Sequence, residues 1–407
     1  MSQPWKTDKW YTTEWNFLDE VTRDFSFTKS PRIHDMTLRD GEQQTGVTFT
    51  TEDKIRIAEK MAEAGVHRIE AGMPVASKQD ETAIREIVKR DLGPQIFCLC
   101  RSVIDDVKMA ADCGVDGIII ETLGSRHLIE YGHGWPEERA LEVAVNATSF
   151  AKEQGLYTSL FLVDSTRENV DWVLDLVGAI ARDGHADSAV LVDTMGVLTP
   201  ASSAYFVRKA KQRLDMPLEA HFHDDFGMGT ANTLVGLACG ADVAHTAMCG
   251  LGERSGSAAT EEVAAALMAL YGIDTGVKCD KLFDLAGLVV ELSGHRMPQN
   301  KAVVGELLYA VESGIVASRL KRCRGDLVTE VFPMHWDFMG QEPPRVVLGK
   351  GSGRDSILYW LDKMGRSASK EQVTEMMTLV KDKAMQEKRL LTECEFREIA
   401  DKVLVKA

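Results

Sequence analysis

From about residue 30 onward, short apolar runs alternate with longer stretches whose apolar positions recur every three to four residues. The short runs predict strands at 32–37, 68–71, 95–100, 117–121, 157–163, 188–192, 219–222 and 245–248. The longer stretches predict helices at 51–64, 78–91, 136–154, 167–183, 200–214, 230–239 and 260–271. In the first of these Thr51 reads as the cap, and Ile55, Ile57, Ala58, Met61 and Ala62 form the stripe to be buried. Eight strand–helix units over roughly 240 residues have the count and length of an α/β fold of the (β/α)8 TIM-barrel type. A doubly wound open sheet is the alternative, and the regular spacing of the units favours closure.

The pattern changes on either side. Residues 1–29 carry three tryptophans and little periodicity, which suits an aromatic arm that packs against protein rather than a ligand. The barrel is expected over 30–275 and a helical subdomain over 276–330, with helices clearest at 282–292 and 305–311. The segment 331–350 is rich in Pro and aromatics and reads as a loop or lid. Residues 351–407 are again helical and highly charged, so 331–407 makes a lid loop plus a C-terminal helical region.

Composition narrows the function classes. A net charge of −15 with no Lys/Arg run argues against nucleic-acid binding. Apolar stretches stop well short of the roughly 20 residues that span a bilayer, and the N-terminus lacks the apolar core of a signal peptide. Eight scattered cysteines without a CxxC fit reduced, buried thiols in a cytoplasmic protein.

Candidate chemistry then falls in one place. In a barrel of this type the reactive groups sit at the C-terminal ends of the strands. There the sequence places Arg39 and Asp40, Glu70, Arg101, Glu121 and Thr122, Asp164 and Arg167, Asp193 and Thr194, and finally His221 and His223. In His221-Phe222-His223 the two imidazoles lie at i and i+2, on one face of a strand. With Asp40 they make two nitrogen donors and one carboxylate, a set that leaves positions open on a divalent cation. Such a set suits Mg²⁺, Mn²⁺ or Zn²⁺. The plainer readings are a turn cap for Asp40, core histidines for His221 and His223, and a structural ion pair with a rim carboxylate for Arg39.

The segments IHDMTLRDGEQQTGVTFT, IEAGMPVAS, VDTMGVLTP, HFHDDFGMGTANTLVGLACGA and GLGERSGSAATEEV resemble the DRE-TIM metallolyase superfamily. Within it the chain is most similar to the Claisen-condensing branch of isopropylmalate, homocitrate and citramalate synthases. The similarity covers roughly residues 30–275 and continues through PQNKAVVGE and VLGKGSGR. The resemblance implies a divalent metal held by Asp40, His221 and His223, with Arg39 beside it. It also implies that Gln43 and Thr194 orient a 2-oxo acid, although Thr194 can equally be a turn residue. A chelated oxo acid has an electrophilic ketone carbon, and Arg39 can donate to the oxygen that becomes an alkoxide. The expected reaction joins an acyl-CoA, acetyl-CoA first among candidates, to a 2-oxo acid. The alternative is a lyase or aldolase that cleaves a hydroxy acid. Relatives of this kind are dimers, so a homodimer is expected by analogy.

Departures from the family pattern bear on the proton transfers. Where the synthases carry His-Glu-Ser-Gly-Ile-His, this chain reads Val311-Glu312-Ser313-Gly314-Ile315-Val316. Valine cannot move a proton, which leaves Glu312 as the expected catalytic group of that stretch and His335 as a possible substitute. Cys249 replaces the usual Asn before Gly-Leu-Gly-Glu-Arg and is expected to be a buried spectator thiol. Val163 replaces a strand-5 Glu, and Gly351 replaces the His of the Gly-Lys-His-Ser-Gly-Arg motif.

Overall fold

The structure, a computed structural model, describes residues 3–323 and 325–405. Eight parallel strands close into a barrel in chain order. They are β1 (Arg32–Asp35), β2 (Arg68–Glu70), β3 (Gln95–Arg101), β4 (Gly117–Leu123), β5 (Tyr157–Val163), β6 (Ser188–Asp193), β7 (Leu218–Phe222) and β8 (Val243–Thr246). Closure is made by β8 on β1, with Arg32 opposite Val243 and Asp35 opposite Thr246. The barrel is the predicted one, and the open sheet is excluded.

Several boundaries moved for physical reasons. The cap of helix Thr51–Ala64 is Thr50, not Thr51: its hydroxyl accepts from the Asp53 amide and the Asp53 carboxylate answers to the Thr50 amide. The stripe of that helix takes in Lys54 and Ala64 and leaves Ala62 at its edge. The helix expected from Arg167 begins at Val170, because the Asn169 side chain caps the amides of Asp171 and Trp172. The last strand lies two residues earlier than expected, ending at Thr246, and a further helix spans Ile104–Cys113. No helix among the described residues is long and apolar enough to cross a membrane.

Residues 14–297 form one compact unit, which contains the barrel. Its arm residues Phe25 and Phe27 pack against Tyr271, Phe27 edge-on and Phe25 tilted. Inside the barrel, Phe97, Leu99, Ile119, Phe161, Val190 and Val192 form an apolar cluster.

Residues 1–13 and 298–407 form the second unit. Here the helix expected at 305–311 is absent: the chain makes turns and then β9 (Ala310–Val311), paired in parallel with β10 (Arg345–Val346). The residues of β9 are satisfied by ladder bonds, such as Arg345 N–H to Tyr309 O and Val347 N–H to Val311 O, which a helix would have to forgo. Helices Arg354–Lys363, Lys370–Glu387 and Glu393–Leu404 pack around Met376, Val380 and Phe396. Trp10 meets Phe338 edge-on at 5.3 Å.

Candidate active site and metal centre

The turn after β1 is clamped before it presents any chemistry. The Asp35 carboxylate accepts from the Thr37 amide at 2.9 Å and from the Thr260 hydroxyl at 2.6 Å. The Thr37 hydroxyl in turn accepts from the Met248 amide at 2.8 Å. These bonds fix the start of Thr37-Leu38-Arg39-Asp40-Gly41, so that Arg39 and Asp40 are both buried at the barrel mouth.

Arg39 is the ion-pair partner of a rim carboxylate, the plainer of its two readings. Its Nε donates to Glu70 Oε1 at 2.6 Å and its Nη2 to Glu70 Oε2 at 3.2 Å. Nη1 donates to Gln43 Oε1 at 3.0 Å and to Asp40 Oδ1 at 3.3 Å. Burial is the largest single effect and pushes the Glu70 carboxyl up, but Arg39 and His34 together outweigh it, and the group lies at about 2. Four of the five guanidinium hydrogens are thus directed, which orients the fork without removing it from the site.

Asp40, His221 and His223 converge. Their ligating atoms all lie within 4.8 Å of one another, and all three side chains are buried. The two Nε2 atoms face each other at 3.2 Å, while His223 Nδ1 is paired with the Gly256 carbonyl at 3.1 Å. That second bond fixes which nitrogen of His223 faces inward. Asp40 Oδ2 is buried with no hydrogen-bond partner among the described residues. An orphaned carboxylate oxygen beside two inward nitrogens fits a divalent cation, and these three residues could hold one. Burial, and then His223, push the His221 imidazole well down, so it stays in the neutral form that ligates.

The Gly-rich loop after β8 closes over this centre. A Cβ on Gly252, whose φ is +153°, would lie 2.5 Å from Asp40 Oδ2, and one on Gly256, φ +88°, would lie 1.8 Å from the Gly250 carbonyl. Cys249 is buried, as expected, at φ +60° in the left-handed region, where its amide donates to Glu261. Asn is among the few non-glycine residues that adopt this region readily, which gives Asn a physical reason to occupy this position in other chains.

The other rim residues mostly tie loops together. Arg101 turns outward to Asp106, Asp164 accepts from Arg167 and Ser125, and Asp193 accepts from Thr166 and the Leu198 amide. The Thr194 hydroxyl oxygen accepts from the Asp164 amide at 2.7 Å, leaving its own hydrogen to donate. Val163 packs at the edge of the interior apolar cluster.

Glu312 and His335 belong to the second unit. The Glu312 carboxylate accepts from the Gly351 amide at 2.7 Å, and Gly349 and Gly351 leave room for it. His335 Nδ1 pairs with Asp337, which also takes Lys9 at 2.8 Å. Val311 and Val316 lie in an apolar cluster with Ala317 and Val346.

One set of interior residues escaped the sequence reading. Arg68 donates to Glu219 at 2.9 Å with its guanidinium over the rings of Phe97 and Tyr157, and Glu219 also bonds Ser159, Ser188 and His245. The available signal was period two: Arg68 shares a face with Glu70, and Glu219 with His221. His34, His245 and Glu219 could in principle ligate an ion. The rings of His34 and His245, however, stack at 4.3 Å and 9°, so their in-plane lone pairs lie in different planes. One ion cannot lie in both, and the cluster is a polar plug. Burial, and then His245, lower the His34 imidazole to about 4.

Comparison with known proteins places this geometry. The family described as HMGL-like matches residues 30–289. A homocitrate synthase, AksA, of Methanopyrus kandleri is 37% identical over 95% of this chain and 96% of its own length. The (R)-citramalate synthase CimA of Methanocaldococcus jannaschii is 39% identical over 86% of this chain and 70% of its own. A probable 2-isopropylmalate synthase of Ignicoccus hospitalis is 37% identical over 92% and 93%. Among solved structures, the HMG-CoA lyase of Bacillus subtilis superposes with a TM-score of 0.59 at 24% identity, over 67% of this chain and 96% of that one, a likeness of fold. The clamped Arg39-Asp40 turn, the paired histidines and these relatives agree: the chain belongs to the HMGL-like, or DRE-TIM metallolyase, family.

Proposed function

We propose that this chain is an acyltransferase that condenses an acyl-CoA, acetyl-CoA first among them, with a 2-oxo acid. The product would be a 2-hydroxy acid of the alkylmalate or homocitrate type. The observation that carries the reading is the convergence of Asp40, His221 and His223 beside the oriented guanidinium of Arg39. The names of its relatives support condensation over cleavage. In this reading Asp40, His221 and His223 hold one divalent cation, Mg²⁺, Mn²⁺ or Zn²⁺. Bound there, the cation supplies Lewis acidity toward the oxo-acid carbonyl.

The protein's own residues do the rest. Arg39 donates to the ketone oxygen as it becomes an alkoxide, and Glu70 keeps the guanidinium plane aimed. Gln43 and Thr194 orient the oxo-acid carboxylate, Thr194 through its uncommitted hydroxyl hydrogen. The role expected of Glu312 rests on its place in the sequence; within its own unit the carboxylate holds the Gly351 amide. We place the enzyme in the cytoplasm as a homodimer, which light scattering would register at twice the chain mass of 44.9 kDa.

The test is to incubate metal-loaded protein with acetyl-CoA and pyruvate, 2-oxoglutarate or 3-methyl-2-oxobutanoate, following free thiol. Thiol release that requires one oxo acid supports the reading. Its absence across the panel, with cleavage of a hydroxy acid or of hydroxymethylglutaryl-CoA instead, would overturn it in favour of a lyase.

A further inference from the structure

We propose that Glu121, at the end of β4, is the proton acceptor of the barrel site, taking the proton from the acyl α-carbon. The proposal rests on the condensation reading above. It starts from an accounting of rim carboxylates. Glu70 is held by Arg39, Asp164 by Arg167, Asp193 by Thr166 and Leu198, and Asp225 by Arg254. Asp40 belongs to the metal set. The carboxylate of Glu121 makes no hydrogen bond or ion pair to any described residue; only its backbone carbonyl is engaged, by the Ser102 hydroxyl.

Its position follows from strand period. Ile119 points into the interior apolar cluster, and Glu121, two residues on, shares that face. In register Glu121 lies between Arg101 of β3 and Phe161 of β5. The Phe161 ring meets His221 edge-on with centroids 4.8 Å apart, so Glu121 is one strand removed from a residue touching the metal set. The charged and titratable groups that act on it are Arg39 after β1, Arg101 on β3, His133 after β4 and Glu253 after β8. Burial raises its carboxyl above the usual range; Arg39 partly opposes this and Glu253 adds to it. A carboxylate so shifted is a better base near neutral pH than an exposed one.

The step balances without an added reactant. Glu121 accepts the α-proton, and the C–H electron pair becomes the bond to the ketone carbon. The carbonyl π pair moves to the ketone oxygen, which Arg39 receives as a donor. The proton held by Glu121 passes to the alkoxide, giving the 2-hydroxyl and restoring the carboxylate. Water then adds to the thioester carbon as the C–S bond breaks. One of its protons leaves with the sulfur as CoA thiol, and the other is released as the new carboxyl ionises.

The experiment compares wild type with Glu121→Gln, Glu121→Asp and Glu312→Gln in thiol release, metal content and the pH profile of kcat/KM. The expected result for Glu121→Gln is full metal content, a kcat lowered about 10²–10⁴-fold and loss of the acid limb. Glu121→Asp should restore part of the rate and the limb, which a merely structural role would not produce. A Glu121→Gln enzyme with kcat within threefold of wild type overturns the proposal. So does a loss confined to KM with altered oxo-acid preference, loss of metal, or a collapse seen only in Glu312→Gln. A wild type that releases no thiol with any oxo acid fails the condensation reading instead. In that case the infrared carboxylic-acid band removed by Glu121→Gln decides, and a titration midpoint at or below the ordinary 4.5 overturns the proposal independently.

Discussion

Arg39 and Glu70, 31 residues apart in sequence, meet through two parallel N–H···O bonds of 2.6 and 3.2 Å at the barrel mouth. The pair makes the guanidinium a positioned donor rather than a flexible charge. Arg39→Lys keeps the charge and loses the fork. We expect the variant to fold and to retain metal while kcat falls about 10²–10³-fold. A Lys variant within a factor of two of wild type in thiol release would remove Arg39 from the chemistry.

The same pair gives stability a pH dependence. The folded Glu70 carboxyl lies at about 2 against an ordinary 4.5, because Arg39 and His34 together overcome the effect of burial. A group depressed on folding stabilises above its unfolded value and loses that contribution as pH falls toward the folded one. The stability gap between wild type and Glu70→Gln, read from urea unfolding, should be full above pH 4.5 and narrow steadily below it. A gap that stays constant down to pH 3 contradicts the pairing.

The metal set makes its own prediction. Purified protein should hold about one divalent ion per chain, by elemental analysis, and the His221→Ala/His223→Ala double variant should hold none. Full occupancy in that variant refutes the assignment of Asp40, His221 and His223.

Gly252 tests the loop above the centre. Its φ of +153° and a Cβ position 2.5 Å from Asp40 Oδ2 leave no room for a side chain. Gly252→Ala should displace Asp40 and weaken metal affinity by about 10- to 100-fold, as loss of a ligand's supporting contacts does. Competition with a chromophoric chelator reads this directly, and unchanged affinity would show that the loop does not set the Asp40 position.

The valines of the second unit should behave as packing residues. Val311 is buried against Val346 and Ala317, whereas Val316 is only partly buried. Val311→His buries an unpaired polar ring and should cost about 1–3 kcal/mol in urea unfolding, with Val316→His costing less. A Val311→His protein as stable as wild type would mean that position has a polar partner waiting.

Local periodicity was enough to mark eight strand–helix units and to favour a barrel over an open sheet, because strands buried on both faces and amphipathic helices leave different spacings in the chain. It also placed His221 and His223 on one face, since side chains on a strand repeat every second residue. Placing Asp40 at the end of the first strand offered that pair a carboxylate, and the resemblance of the RDGEQ and HFHDD segments to a known family pointed to the three as a metal set. Caps and short elements were less legible. Thr50 and Asn169 won their helix starts through particular side-chain bonds, and β9 formed where a helix was expected because β10, more than thirty residues on, supplied its partners. What tertiary structure alone decided is which charges meet. Arg39 with Glu70, Arg68 with Glu219, and the Glu121 carboxylate left without a partner among the described residues all depend on barrel closure and on the register between strands. No local spacing encodes those distances, because the residues share a site only after the eighth strand has joined the first.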